Sequence, residues 1–235
     1  EDCRVSDVLS AGRLVTPALF ETRATTAPVG LNSVKSERVS AADFRIEPKP
    51  AQNQTPVIGI KPGLIITFRD DATLPVTEDG LQSDVAADVL KAAVVERHGK
   101  NGNIGRSFVK GIGLKRGAIA SSIGHDCHNI TVVGASDADM AVAVNRLIEV
   151  GGGMAVADNG AITAELALPL AGLMSLEPFE SVTLSLHRLR DATREIGCTI
   201  PEPFLQMAFL PLPVIPHLKL TDMGLFDVDK FGFVD

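Results

Sequence analysis

From Cys3 to Thr16 the apolar positions Val5, Val8, Leu9, Leu14 and Val15 flank Ser10-Ala11-Gly12-Arg13, a pattern that predicts a β-hairpin with Gly12 supplying the turn dihedral. Residues 17 to 55 show little periodicity and hold Pro17, Pro28, Pro48 and Pro50, with Glu47-Pro-Lys-Pro-Ala-Gln-Asn-Gln as the most linker-like run. A domain boundary is therefore expected near residue 50. Beyond it, short β-rich runs at Val57 to Ile60 and Leu64 to Phe68 flank Lys61-Pro62-Gly63, followed by strand candidates at Ala92 to Arg97 and Ser107 to Leu114. Gly117 to Ser121 and Ile130 to Val133 bracket the loop Ile123-Gly-His-Asp-Cys-His-Asn129.

The strongest helix signal runs from Ser136 to Val150. Ser136 with Asp139 fits a capping box, Met140, Val144, Leu147 and Ile148 share a face, and Gly151 suits a left-handed C-terminal position. Met154 to Ala157 and Ile162 to Leu166 flank Asp158-Asn159-Gly160, a hairpin turn signal. A second helix is expected from about Pro178 to Ile196, with Phe179, Val182, Leu186, Leu189 and Ile196 on one stripe and Gly197 after it. Pro211, Pro213 and Pro216 forbid a continuous helix or central strand in the tail, which is expected to be irregular. Strands and helices intermix without a clean βαβ repeat, so the fold class expected is mixed α+β, a β-sheet domain with covering helices.

Composition narrows the picture. A chain of 235 residues with 45% apolar and 22% charged residues and a mean hydropathy of +0.20 can bury a sizeable core. No apolar run reaches the roughly 18 residues of a membrane span, because Glu165 and Pro169 interrupt Ala161 to Met174. The opening Glu1-Asp2-Cys3-Arg4 contains neither an initiator Met nor an apolar leader core, and reads as the interior of a folded element, hence a fragment.

Net charge is −7, all of it arising after residue 50. Such a balance argues against nucleic acid and anionic membrane as partners. One basic stretch exists, in which Arg97, Lys100, Arg106, Lys110, Lys115 and Arg116 face the single acid Glu96; with Phe108 its only ring, it reads as a solvated face near a partner subunit. Cys3, Cys127 and Cys198 are widely spaced without CxxC, the usage of reduced cytoplasmic thiols.

Two stretches could carry chemistry. His125-Asp126-Cys127-His128-Asn129 packs two imidazoles, a carboxylate, a thiol and an amide into five residues. These groups can contact a substrate, act as a lid, or hold a metal, for which His125 and His128 are weak candidates. Against this stands a hydrogen-bonded loop closing a sheet edge, with Asp126 and Asn129 bonding backbone groups. In Gly99-Lys100-Asn101-Gly102-Asn103-Ile104-Gly105, the residues Gly99, Lys100, Gly102 and Gly105 could form an anion-binding turn, while a subunit contact is the plainer alternative. The run is neither GxGxxG nor a Walker A, and no GxSxG or HxE…PCxxC pattern occurs, which argues against a serine hydrolase and a cytidine-type deaminase. His98, His187 and His217 read as surface or capping residues.

Four runs carry a family resemblance: Glu96-Arg-His-Gly-Lys-Asn-Gly-Asn-Ile-Gly105, Gly113-Leu-Lys-Arg-Gly-Ala-Ile-Ala-Ser-Ser-Ile-Gly-His-Asp-Cys-His-Asn129, Leu168-Pro-Leu-Ala-Gly-Leu-Met-Ser175 and Leu212-Pro-Val-Ile-Pro-His-Leu-Lys-Leu-Thr-Asp-Met-Gly-Leu225. In this order they resemble the C-terminal domain of bacterial adenine deaminases, members of the amidohydrolase superfamily. The resemblance covers about residues 35 to 230, and Arg4 to Val15 resembles the return strands of the small β-sandwich that follows the catalytic barrel. With the boundary expected near residue 50, the division is sandwich strands and linker in 1–50 and the C-terminal domain in 51–235.

The resemblance also implies an upstream (β/α)₈ barrel as partner, a binuclear manganese or iron centre bound there, and a Glu proton shuttle. The implied reaction is hydrolysis of adenine to hypoxanthine and ammonia, a step of purine salvage. A cytoplasmic homo-oligomer is expected on other grounds, the cysteine usage above and the stretches 97–116 and 211–216, surfaces that a monomer has little reason to build. None of the barrel's metal-binding groups can be carried onto this chain, which contains no HxH, and the chain alone is expected to be inactive. A noncatalytic assembly module, or a free-standing metal- or anion-binding protein using the His125 loop, are the alternatives.

Overall fold

In the computed structural model, residues 3–21, 27–50 and 53–234 are described. The strands in chain order begin with β1 (Leu9–Ser10) and β2 (Arg13–Leu14), then β3 (Thr55–Gly59), β4 (Phe68–Ala72), β5 (Val76–Thr77), β6 (Gly80–Leu81), β7 (Val89–Val95), β8 (Ile104–Lys110), β9 (Ala118–Ser121) and β10 (Ile130–Gly134). There follow α1 (Asp137–Val150), β11 (Gly153–Asp158), β12 (Ala161–Ala167), α2 (Phe179–Glu195), α3 (Pro203–Met207), β13 (Leu218–Thr221), β14 (Gly224–Asp227) and β15 (Gly232–Phe233).

Eight strands form one mixed sheet in the order β12-β11-β9-β10-β7-β8-β3-β4, in which only β3 and β8 run parallel. The central strands β7 and β10 are buried throughout, because both faces of the sheet are covered. Side-chain alternation sorts the covers. On one face Ala93, Val95, Ala118, Ala120, Val132 and Ala155 meet Met140, Val144 and Leu147 of α1. Alanines let the helix approach closely, and a Cβ at Gly134 would lie 2.5 Å from Met140. On the other face Leu90, Ala92, Val94, Ile119, Val133 and Val156 meet Leu189 of α2, Phe204 and Met207 of α3, and Leu218 and Leu220 of β13. The architecture is mixed α+β.

Several elements differ from the sequence reading. The run Leu64 to Thr67 is not a strand: Thr67 bonds the tail instead, its N–H to Pro216 O and its Oγ1 to Leu218 O, and β4 starts only at Phe68. β8 stops at Lys110 because Gly111 (φ 108°) and Gly113 (φ 88°) leave the extended region, four residues before the expected Leu114. The tail is more ordered than its prolines suggest, since these lie between α3 and β13, and β13, β14 and β15 form a small antiparallel sheet. Residues read as linker supply Phe44, fully buried, with Val34 and Val39 packed against the α1 face.

Ser136 Oγ accepts Asp139 N–H at 3.3 Å, but the Asp139 carboxylate turns to Gly160 N–H at 2.8 Å, so the capping box is half-formed. Phe179 is exposed, against the expected stripe, and meets Phe20 edge-on at 6.3 Å. The expected hairpin near residue 12 forms, with its apolar Val5, Val8, Leu9 and Leu14 exposed.

Candidate functional site: two loops at one end of the sheet

The 98–103 and 122–129 loops lie at the same end of the sheet, because β10 begins beside the end of β7, with Ile130 opposite Val95. Between them stand two consecutive residues: Glu96 bonds the 98–103 loop, and Arg97 ties the 122–129 loop to Ser33 and Ala171.

Glu96 is 5% exposed, and its carboxylate fills the glycine-rich turn. Oε1 accepts the His98 N–H at 2.5 Å, while Oε2 accepts from Lys100, Asn101 and Gly102 N–H at 3.0, 3.4 and 3.3 Å. Burial pushes this carboxyl up, but the four N–H donors outweigh it and hold the pKa below the ordinary value. The backbone amides expected to cradle an external anion thus face an anion of this chain. Gly99 and Gly102 take positive φ here, whereas Gly105 serves close approach to the tail.

Arg97, read in the sequence as part of a solvated basic face, is 2% exposed. Its side chain donates from Nε to His128 O, from Nη1 to Ser33 Oγ at 3.2 Å and from Nη2 to Ala171 O at 2.9 Å. All three acceptors are neutral oxygens, and burial pulls the guanidinium pKa below its usual value. A Cβ at Gly172 would sit 2.6 Å from Nη1, so glycine there makes room for the guanidinium. The other cations of the stretch, Lys100, Arg106, Lys110, Lys115 and Arg116, are exposed as expected.

The His125 loop is held at both ends. His125 N–H donates to Ala208 O at 2.8 Å, and its imidazole stacks on Phe209 with centroids 5.1 Å apart. Phe209 O in turn accepts from the fully buried Lys219 at 3.1 Å, which also bonds Ile65 O at 3.1 Å; burial pulls the Lys219 pKa down to about 8. At the other end His128 adopts φ 50°, with its carbonyl on Arg97. Asn129, buried, accepts the Arg97 N–H at Oδ1 (3.2 Å).

His128 Nδ1 lies 3.3 Å from the Gly124 N–H and accepts from it, which leaves a neutral ring's proton on Nε2. Burial, then the neighbouring His125 and Arg97, lower the His128 pKa, so the neutral ring with an Nε2–H donor is the form at neutral pH. Asp126 is exposed, 3.6 Å from His125 Nδ1. The loop therefore offers an N–H donor, a second imidazole and a carboxylate within a few ångströms, a set suited to the edge of a heterocycle.

The sequence reading passed over Glu96, Arg97, Ser33 and Asp222 as contributors. Three of them lie inside the family-like runs, yet the residue types alone carry no sign of which loop each would serve.

The described residues include no group of three or more His, Cys, Asp or Glu side chains placed to hold a metal ion. The ring centroids of His125 and His128 lie 5.6 Å apart, and Asp126 stands 3.6 Å from His125 Nδ1. A binuclear manganese or iron centre does not fit these side chains.

The family model described as adenine deaminase C-terminal domain matches residues 64–232. Adenine deaminase 1 of Rhizobium johnstonii (strain DSM 114642 / LMG 32736 / 3841) is 56% identical over 234 residues, 100% of this chain and 41% of that protein. Adenine deaminase 1 of Agrobacterium fabrum (strain C58 / ATCC 33970) is 54% identical, and adenine deaminase of Brucella abortus (strain 2308) 55%, each over 100% of this chain and 40% of the relative. The chain spans about 40% of the length of these curated relatives.

Proposed function

Starting from the premise that this chain belongs to the adenine deaminase family, of which it carries the C-terminal domain, we propose that it is the non-metal-binding portion of an enzyme hydrolysing adenine to hypoxanthine and ammonia. The observation that carries this reading is the unbroken match of the whole chain to about two-fifths of proteins named adenine deaminase. The metal centre, iron or manganese, belongs in this reading to an upstream barrel. The two parts of the proposed protein divide the work: the longer supplies the reacting centre, and this one supplies a sheet whose loops approach it. The reading extends to a cytoplasmic, homo-oligomeric enzyme of purine salvage; free thiols at Cys3, Cys127 and Cys198 are in keeping with a reducing compartment.

An ammonia-release assay tests the division. Full-length protein is expected to turn over adenine at a rate typical of enzymes, about 1 to 1,000 per second, and the isolated chain not at all. Turnover by the isolated chain at such a rate would sink the proposal.

Within the enzyme, the His125 loop is proposed to cover the substrate or hydrogen-bond its purine edge, with His128 Nε2–H as donor. In the full-length protein His125→Ala and His128→Ala are each expected to lower turnover at least about tenfold, roughly 1.4 kcal/mol in the barrier, while the melting temperature stays close to the parent's. Unchanged turnover in both variants would leave the loop as scaffold.

A further inference from the structure

We propose that Asp222, in the turn between β13 and β14, is the positioning residue that sets the His125 loop in register with the glycine-rich loop. Its carboxylate bridges them: Oδ1 accepts from Asn129 Nδ2 at 3.2 Å and Oδ2 from Asn101 Nδ2 at 3.1 Å. The direction of the bridge is fixed by its neighbours. The Arg97 N–H, a donor, occupies Asn129 Oδ1, so the Asn129 amide must present its NH₂ to the turn. Asn101 Oδ1 likewise accepts the Asn103 N–H at 2.9 Å, which turns its NH₂ outward. The two amide donors converge on one carboxylate, and each takes its own oxygen.

The turn has little freedom to drift from this place. Gly105 brings β8 against Thr221 O, Thr221 Oγ1 accepts the Met223 N–H at 3.2 Å, and Asn103 Nδ2 contacts Met223 Sδ at 2.9 Å. Asn129 directly follows His128, whose carbonyl is already held by Arg97. Fixing the amide of residue 129 as well restrains the backbone on both sides of the His128 carbonyl, and the Gly124 N–H on Nδ1 then orients the imidazole. The tail sheet, distant in sequence from both loops, thereby acts as a clamp across them.

This inference rests on the reading of the His125 loop given above for its link to turnover, but not for the clamp itself. The test therefore uses two readouts on the full-length protein: amide hydrogen exchange in residues 98–103 and 122–129, and kcat/KM for adenine. Asp222→Asn leaves one amide donor facing another. It is expected to speed exchange in both loops together by at least about tenfold and to lower kcat/KM by a similar factor.

Combining Asn129→Asp with Asp222→Asn restores every bond. The carboxylate then at position 129 accepts from the Arg97 N–H and from the amide at position 222, whose oxygen accepts from Asn101. The exchanged pair is expected to recover parental exchange and kcat/KM, a rescue that generic loss of packing would not show. Because all donors are matched, it also serves if Asp222→Asn alone fails to fold. Unaltered exchange in Asp222→Asn, or no recovery in the exchanged pair, overturns the clamp. Faster exchange with unchanged kcat/KM overturns the positioning role, and the His125 and His128 variants then report separately whether the loop takes part in turnover.

Discussion

Gly105→Ala is expected to destabilise the chain by about 3 kcal/mol or more, at the upper end of what overpacking does. A Cβ at this position would lie 1.8 Å from Thr221 O and 3.0 Å from Gly224 N, both backbone atoms of the tail hairpin. No side-chain rotation relieves such a contact, so the β13–β14 hairpin must move away from β8. That movement loosens Leu218 and Leu220, which pack in the core beneath the sheet, and parts Asp222 from both loops. Gly102→Ala provides the control. Gly102 takes φ 67° with nothing within 4 Å of its added Cβ, so only backbone strain of about 1 kcal/mol applies. Thermal unfolding checks the pair: at about 2 to 4 °C per kcal/mol for a chain of this size, Gly105→Ala should lower Tm by about 6 to 12 °C and Gly102→Ala by far less. Equal shifts would show that close approach is not the reason for glycine at 105.

Glu96→Ala is the second large effect, with an expected loss of about 2 to 4 kcal/mol. The carboxylate satisfies four backbone N–H groups at once, those of His98, Lys100, Asn101 and Gly102. Some of these amides can turn to water because the loop tip is exposed, which keeps the loss below the sum of four buried bonds. Glu96→Gln separates charge from geometry, since it keeps one oxygen but presents an NH₂ to donors. It should fall between the parent and Ala.

The acid limb gives the sign. The folded pKa of Glu96 is held below its unfolded value of 4.5, so its contribution is fully present above pH 4.5 and is lost as pH falls through the folded pKa. Chemical denaturation between pH 3 and 6 should therefore show a smaller decline on acidification in Glu96→Gln than in the parent. A parallel decline in both would mean that the turn does not depend on the charge.

The bounds of the Ser136 to Gly151 helix were legible, down to the left-handed Gly151 at φ 81°, because caps and a 3.6-residue apolar stripe are local signals; only the Asp139 half of the capping box, drawn off to Gly160, was not. The same holds for the hairpin turn at Asn159-Gly160, where two consecutive positive φ values suit these residues. The mixed α+β class and the dense loop between β9 and β10 also lay in the sequence, as did the family, carried by four runs in order.

What those runs did was decided only by the fold. A carboxylate next to a glycine-rich turn fills it only when β7 ends beside that turn, which is where Glu96 stands. Arg97 looked like one more surface cation until the crossing of β7, β10 and the 171–172 turn enclosed it. Asp222 and Asn129 are 93 residues apart and meet only because β13 and β14 pack onto the sheet. Local periodicity and capping depend on neighbours within a few residues, and the sequence states them directly. The partner of a buried charge depends on which distant strands share an end of the sheet, and that is set by the packing of the whole core.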